Sequence, residues 1–348
     1  MPHRRVTVSL VFFSVVVVTY FLHGFMNANG DTQPTNSTEN SAAERRRRAR
    51  ARIDQLRSAT RRAPQGESQR RKERLARFRA ILETIIGDTN AIVVDTARLR
   101  NMHLARPISL CLEKTHGDDL ERVKRELGIG ILADTDQVAF ARHFLLVDGS
   151  EVAPDNGNIF RNASKREYGT DGEVFVPEDT TRPSGGIWKR QLLVVSDDVD
   201  EIREAIDIAE APYVTENPTN GFRQSSALIH GTMPPGKLMN LLGVTEYVRP
   251  IASLLDTVVR DVFFEIHVHH SVLLTTTLAL HENRSKDLLL AGLEGLRTLL
   301  IQKSVFFDYA DLAELIDTVV IRDDGNEIHL EMEMPFQFLE RELTRCTG

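Results

Sequence analysis

Glu265, His267 and His269 alternate with Phe264, Ile266 and Val268 in the run Glu265-Ile266-His267-Val268-His269-His270. Side chains on a strand point alternately to opposite faces, so the three polar groups would share one face. The two imidazoles would stand roughly 7 Å apart. That spacing lets two histidines converge on one metal ion, zinc by preference, when a neighbouring element supplies a third ligand. His281, or Glu282 beside it, is the candidate on the next strand. Near the C-terminus Glu327, His329, Glu331 and Glu333 alternate in the same way with Ile328, Leu330, Met332 and Met334. A metal-binding module or metal-dependent hydrolase built on Glu265, His267, His269 and His281 is therefore the alternative reading. A plainer one competes with it. An antiparallel sheet with one wet face must alternate polar and apolar residues, and Thr275 and Thr277 suit such a face. The solvated face is the expectation, because ligands need convergence and outer partners that spacing alone does not supply. No cofactor is expected.

The remaining candidates do not define a reaction. Gly117-Asp118-Asp119, Asp134-Thr135-Asp136 and Asp197-Asp198-Val199-Asp200 are acidic clusters. Two of them open expected helices, where carboxylates complement the helix dipole. None follows the order of a calcium loop, and no phosphate loop, nucleophile elbow, dinucleotide fingerprint or HExxH helix is present. His103, His116, His143 and His230 stand alone, and Ser184-Gly185-Gly186 reads as a turn. No catalytic residue is expected, and a non-enzymatic binding or scaffold protein is favoured.

Arginine supplies the stronger lead. Residues 44–80 hold 15 Lys/Arg against 4 Asp/Glu, whereas residues 81–348 hold 26 against 44. The net charge of −7 thus hides a basic segment before an acidic body. Guanidinium groups form bidentate contacts with phosphates and carboxylates. Arg45, Arg46, Arg47, Arg48, Arg50, Arg52, Arg61, Arg62, Arg70, Arg71 and Lys72 are accordingly the candidates for binding an anionic surface. Anionic lipid, a cell-wall polymer or an acidic protein would be the partner. Nucleic acid enters only if the topology is reversed. A spacer that binds nothing, or docking onto the protein's own acidic part, would also use such charge.

Residues 6–25 contain no Asp, Glu, Lys or Arg. Twenty helical residues span roughly 30 Å, the hydrocarbon thickness of a bilayer. Arg4 and Arg5 precede the run, and the next positive charge after it is Arg45. The asymmetry places the N-terminus inside and the bulk outside, so a single-pass inner-membrane protein with its body in the envelope is expected. The two cysteines, Cys111 and Cys346, have no zinc-like spacing. They read as unremarkable thiols, the second in a mobile C-terminus, although an exported chain could pair them.

The elements that would position these groups follow from periodicity. Residues 1–5 form a cytoplasmic end, 6–25 the signal anchor, 26–66 a flexible arginine-rich tether without a buried face, and 67–89 an amphipathic stalk helix. Two α+β halves follow at 90–230 and 231–348. In the first, strands are expected at 91–99, 108–113, 137–147, 173–177 and 191–195, with helices at 118–127 and 198–211. In the second, strands are expected at 227–232, 262–269, 273–281 and 327–334, with helices at 234–242, 251–261, 285–301 and 309–316. Adjacent strand pairs with interspersed helices indicate α+β with mostly antiparallel sheets.

The stretch TTTLALHENRSKDLLLAGLEGLRTLLI, then DLAELIDTVVIRDDGNEIHLEMEMP, resembles a C-terminal pattern of uncharacterised membrane-anchored bacterial envelope proteins. The segment RELGIGILADTDQVAFARHFLLVDG is similar to their first half. The resemblance spans roughly residues 90–340. It implies an envelope location and brings no activity or site residues.

Overall fold

The computed structural model describes residues 39–60, 69–86, 91–141, 143–149, 151–152, 157–161, 163–211, 225–235, 249–281, 286–306 and 310–347. The expected membrane span at 6–25, most of the expected helix at 234–242, and Arg61 and Arg62 lie outside these residues. Among the described residues, no helix is long and apolar enough to cross a membrane. The fold is α+β, with antiparallel sheet and several helices. Two compact units form it. Unit 1 takes the described residues from 69 to 229 with Cys346 and Thr347, and unit 2 takes those at 39–60 and 230–345.

Two helices open the described chain, α1 (Glu39–Thr60), which belongs to unit 2, and α2 (Gln69–Ile81), which belongs to unit 1. Helix α2 runs on into a π-helical turn at Leu82–Ile86. Leu75, Phe78 and Leu82 recur at three- and four-residue spacing, so they fall on one face and are buried. Phe78, Ile81 and Leu82 join Ala139, Leu146, Trp188, Ile202 and Ile206 in one core. Each such side chain contributes about 1.5–3 kcal/mol by leaving water.

Unit 1 continues with β1 (Ala91–Val94), α3 (Thr96–Arg100), α4 (Ala105–Leu127) and α5 (Ile131–Asp134). Next come β2 (Gln137–Ala141), β3 (Phe144–Asp148), α6 (Asn158–Arg161), β4 (Ala163–Tyr168), β5 (Gly172–Pro177), β6 (Ser184–Trp188), β7 (Leu192–Ser196) and α7 (Val199–Glu210). Its strands pair in the order β1-β2-β3-β7-β6-β5-β4, every pair antiparallel. Helix α7 lays Ile202, Ala205, Ile206 and Ala209 on the sheet, and Asp198 caps it by accepting from the Asp200 N–H.

Several expectations are corrected here. Residues 108–113 are helical, because Ile108, Cys111 and Leu112 follow helical spacing and all face inward. The expected strand at 91–99 stops at Val94, where Asp95 caps α3 by accepting from the Arg98 N–H at 2.8 Å. The single strand at 137–147 is a tight hairpin, β2 and β3, in register from Gln137 opposite Asp148 to Phe140 opposite Leu145. Ser184-Gly185-Gly186 is strand and not turn. A Cβ on Gly186 would collide with Ile202 of α7, and one on Gly185 would lie 2.6 Å from the Phe160 ring. The glycines therefore allow helices to approach the sheet closely.

Cys111 and Cys346 form a disulfide with their Cα atoms 5.5 Å apart, within the ordinary range for such bonds. The expectation of two unremarkable thiols and a mobile C-terminus is thereby corrected. Cys346 sits in a C-terminal helix whose Leu339 and Leu343, four residues apart, are buried.

In unit 2, β8 (Ile229–Met233), α8 (Arg249–Val258), β9 (Val259–Val268), β10 (Ser271–Leu280), α9 (Lys286–Phe306), α10 (Ala310–Asp317), β11 (Val320–Asp324), β12 (Glu327–Pro335) and α11 (Phe336–Thr347) follow in turn. The sheet order is β11-β12-β10-β9-β8, with β11 at the edge. The β9–β10 hairpin pairs His267 with Leu273 and Glu265 with Thr275, while β10 pairs Thr275 with Glu331 and Thr277 with His329. Those registers line up Glu265, His267, Leu273, Thr275, Thr277, His329, Glu331, Glu333, Val320 and Arg322 on one face.

Candidate anion-binding cleft

The polar face of the unit 2 sheet is covered, which corrects the expectation of a solvated surface. Thr275, Thr277 and Glu331 are 5%, 3% and 0% exposed, and His267 and Glu333 are buried beside them. Helix α1 contributes to the cover. Its Ile53, fully buried, packs with Leu273 and Val320 of that face, and Leu56 adds to the cluster. The arginine-rich segment therefore has a buried face, formed by Ala49 and Ile53 with Leu56 half-buried beside them. Two apolar residues three apart were enough, because the strands below supplied the rest of the contact.

Ion pairs complete this seam. Arg46 donates from Nε (3.1 Å) and Nη2 (2.8 Å) to Asp317 of α10. Arg52 lies 3.4 Å from Glu333. Arg322 donates from Nε to Glu331 at 2.6 Å and from Nη2 to Asp54 at 2.7 Å. Burial works against the Arg322 charge, but Glu331 and Asp54 outweigh it and raise its pKa. A carboxylate as enclosed as Glu331 needs such a partner, since an unpaired buried charge is costly.

The four proposed metal ligands do not converge. Glu265 and His267 approach to 3.8 Å. His269 lies past the end of β9, its N–H donating to the Ser271 carbonyl. His281 follows Leu280 at the other end of the hairpin, where its N–H donates to Val258. Roughly 25 Å of strand therefore separates His267 from His281. Among the described residues, no group of three or more His, Cys, Asp or Glu could hold a metal ion. His329 serves the sheet instead: its Nδ1 is 3.0 Å from Thr277 Oγ1, and its Nε2 is 3.6 Å from Glu327.

The basic stretch meets acids of the chain in unit 1 as well. Arg71 of α2 lies 3.9 Å from Asp95, and Arg74 lies 2.6 Å from Asp136 and 3.8 Å from Asp148. Asp148 is 2% exposed. Desolvation pushes its pKa up to about 6, with Asp136 adding to the rise and Arg74 opposing it. Arg77 stacks over the Trp188 ring at 5.3 Å. Lys72 is exposed, and the side chains of Arg45 and Arg70 lie outside the described set.

What remains outward is narrower than the sequence suggests. Arg48 pairs with Glu44 at 2.5 Å on the surface of α1. Arg47 and Arg50 are exposed and form no ion pair among the described residues. Together with Arg46 they line one side of a cleft of about 400 Å³, whose other walls are Glu294 and Arg297 of α9 and the apolar run Val319, Val320 and Ile321 entering edge strand β11. Arg297 is 11% exposed at its side chain and contacts Glu294 at 2.5 Å. It donates from Nη1 to the Val319 carbonyl at 3.3 Å, which closes part of the strand edge. Burial lowers its pKa against the pull of Glu294, and its enclosed Nε has no hydrogen-bond partner. Sequence reading missed Glu294 and Arg297 because they sit inside an apolar helix. Their i, i+3 spacing is a signal only once α1 is known to lie beside them.

No family model matches this chain, and no curated protein does. Among solved structures it is similar to one titled "Structure of crystal form I of TP0453". The TM-score is 0.41 and the identity 12%, over 76% of this chain and 97% of that one. A likeness at that level carries neither a fold family nor a function.

Proposed function

We propose that this is an exported, non-enzymatic binding or scaffold protein, held in the inner membrane by residues 6–25, whose unit 2 meets anionic surfaces through α1. One observation carries the reading: Arg47 and Arg50 stand exposed without ion pairs among the described residues, on a helix anchored by Ile53 and Arg46. Because the backbone is already ordered by that anchoring, an anion meeting these arginines need not also offset the ordering of a flexible tether. The disulfide supports export, since such bonds persist in oxidising compartments. The positive charges at Arg4 and Arg5 support an N-in orientation. The acidic body, 26 Lys/Arg against 44 Asp/Glu, is the part offered to protein partners.

The test uses the full chain in nanodiscs of neutral lipid, presented with vesicles of phosphatidylglycerol or phosphatidylcholine across a salt series. Capture by the anionic vesicles alone, weakening as salt rises, is expected. Capture that ignores salt or lipid charge would refute the reading. Protease added to intact spheroplasts checks the orientation, and protection of residues 90–348 until lysis would reverse it.

A further inference from the structure

We infer that the cleft between α1, α9 and β11 of unit 2 is a binding site for a phosphate monoester carried on an apolar group, of the kind a phosphatidic-acid-type lipid presents. The inference rests on the anionic-surface reading above and names the chemical group that surface would offer.

Charge is the first reason. Of the four arginines lining the cleft, Arg46 is matched by Asp317 and Arg297 by Glu294. Arg47 and Arg50 are matched by no carboxylate among the described residues. Two uncompensated positive charges on one wall call for a ligand of about two negative charges. A phosphate monoester carries about −1.5 to −2 at neutral pH, whereas a diester or a carboxylate carries about −1.

Donor geometry is the second. Arg47 and Arg50 are three residues apart on α1, so they project from neighbouring turns on one side of the helix. Two guanidinium forks offer parallel N–H pairs suited to the several oxygens of one phosphate. Arg297 lines the same space.

The third reason is the apolar wall. Val319, Val320 and Ile321 also line the cleft, and Val320 belongs to the buried cluster with Ile53 and Leu273. A bare inorganic ion would leave that wall wet. An ester with methylene groups next to the phosphate would cover it, at about 0.8 kcal/mol of transfer free energy per buried methylene. A volume of about 400 Å³ lies in the ordinary range for small-ligand sites.

The experiment is calorimetric titration of the full chain in neutral nanodiscs with water-soluble dihexanoyl phosphatidic acid, dihexanoyl phosphatidylglycerol and inorganic phosphate. The native chain is compared with an Arg47→Ala/Arg50→Ala variant, whose substitutions are exposed and leave the packing of Ile53 alone. The expected result is that phosphatidic acid binds about tenfold or more tighter than either other ligand, and that the variant loses most of this preference. Equal binding of phosphatidic acid and phosphatidylglycerol would overturn the monoester site. Equal binding of inorganic phosphate would overturn the apolar half and point to free phosphate as the source. Full binding by the variant would overturn the assignment to Arg47 and Arg50. If vesicle capture persists while none of the three soluble ligands binds, the cleft inference fails and the surface reading stands; loss of both ends both.

Discussion

Replacing Asp148 with Asn should make unit 1 more stable at neutral pH and nearly unchanged in acid. Asp148 is 2% exposed on β3, and its pKa is raised from 3.8 to about 6, chiefly by desolvation. The folded state therefore holds this proton more tightly than the unfolded chain does. Acid favours the fold at this site: the contribution is greatest below about pH 4 and is lost as pH rises through about 6. A displacement of roughly two pKa units corresponds to about 3 kcal/mol between those limits. Asp148→Asn removes the charge that must be buried. Arg74 is not stranded by the change, because it keeps its 2.6 Å contact with Asp136. A gain of about 1–3 kcal/mol at pH 8, shrinking towards zero near pH 4, is the expected outcome. Trp188 is the single tryptophan of the chain and belongs to the unit 1 core, so its fluorescence during urea unfolding reads this unit. The comparison is between stability curves of the two proteins from pH 4 to 8, in which other titrating groups cancel to first order. Parallel curves, or a variant weaker than the native chain at pH 8, would show that Asp148 does not carry a buried charge in the way described.

Other outcomes follow from the seam under α1. Ile53→Ala should destabilise unit 2 by about 2–5 kcal/mol, the range for emptying a filled aliphatic site, and should speed tryptic cleavage among Arg46–Arg52. Unchanged cleavage rates would mean the helix is held elsewhere. Arg322→Ala leaves Glu331 enclosed with its guanidinium partner removed and should cost about 3–5 kcal/mol, with much of the loss recovered by adding Glu331→Gln. Equal losses in the single and double variants, followed by urea denaturation, would argue against a charge origin. Cys111→Ser/Cys346→Ser should lower the stability of unit 1 by about 2–5 kcal/mol, and alkylation of the unreduced native chain should add no mass at either cysteine.

The α+β class was legible from alternation and from helix stops. The hairpin of β9 and β10, helix α7 with its Asp198 cap, and the left-handed Gly128 ending α4 all stand close to where periodicity put them. Elements buried on both sides were harder to read. Strands β2 and β3 are apolar over Val138–Ala141 and Phe144–Val147, so neither shows the alternation that would separate one strand from the next. Strand β4, with Lys165, Arg166 and Glu167 exposed at the sheet edge, carries no apolar alternation to mark it, because edges are kept charged. The candidate site was legible only in pieces. Arginines and the His/Glu strand pattern were both visible, but as separate leads, one read as a tether and the other as a wet face or a metal site. Their relation depends on contacts between residues some 270 positions apart, such as Asp54 with Arg322, and local periodicity carries no information at that distance. The disulfide escaped for the same reason, its partners lying 235 residues apart.

That long reach has a consequence for how the chain is made. Asp54 leaves the ribosome 268 residues before Arg322, and so before the strands that α1 will cover. At about 5–20 residues per second the interval is tens of seconds. Throughout it, Ile53 and Leu56 have nothing to pack against, and the basic stretch has yet to meet most of the acids it will be paired with. A nascent segment of that character exposes its cations and two large apolar side chains together until its own strands arrive. On completion of unit 2, Arg46 and Arg52 would take up Asp317 and Glu333 as their acidic partners, while Arg47 and Arg50 would keep facing outward.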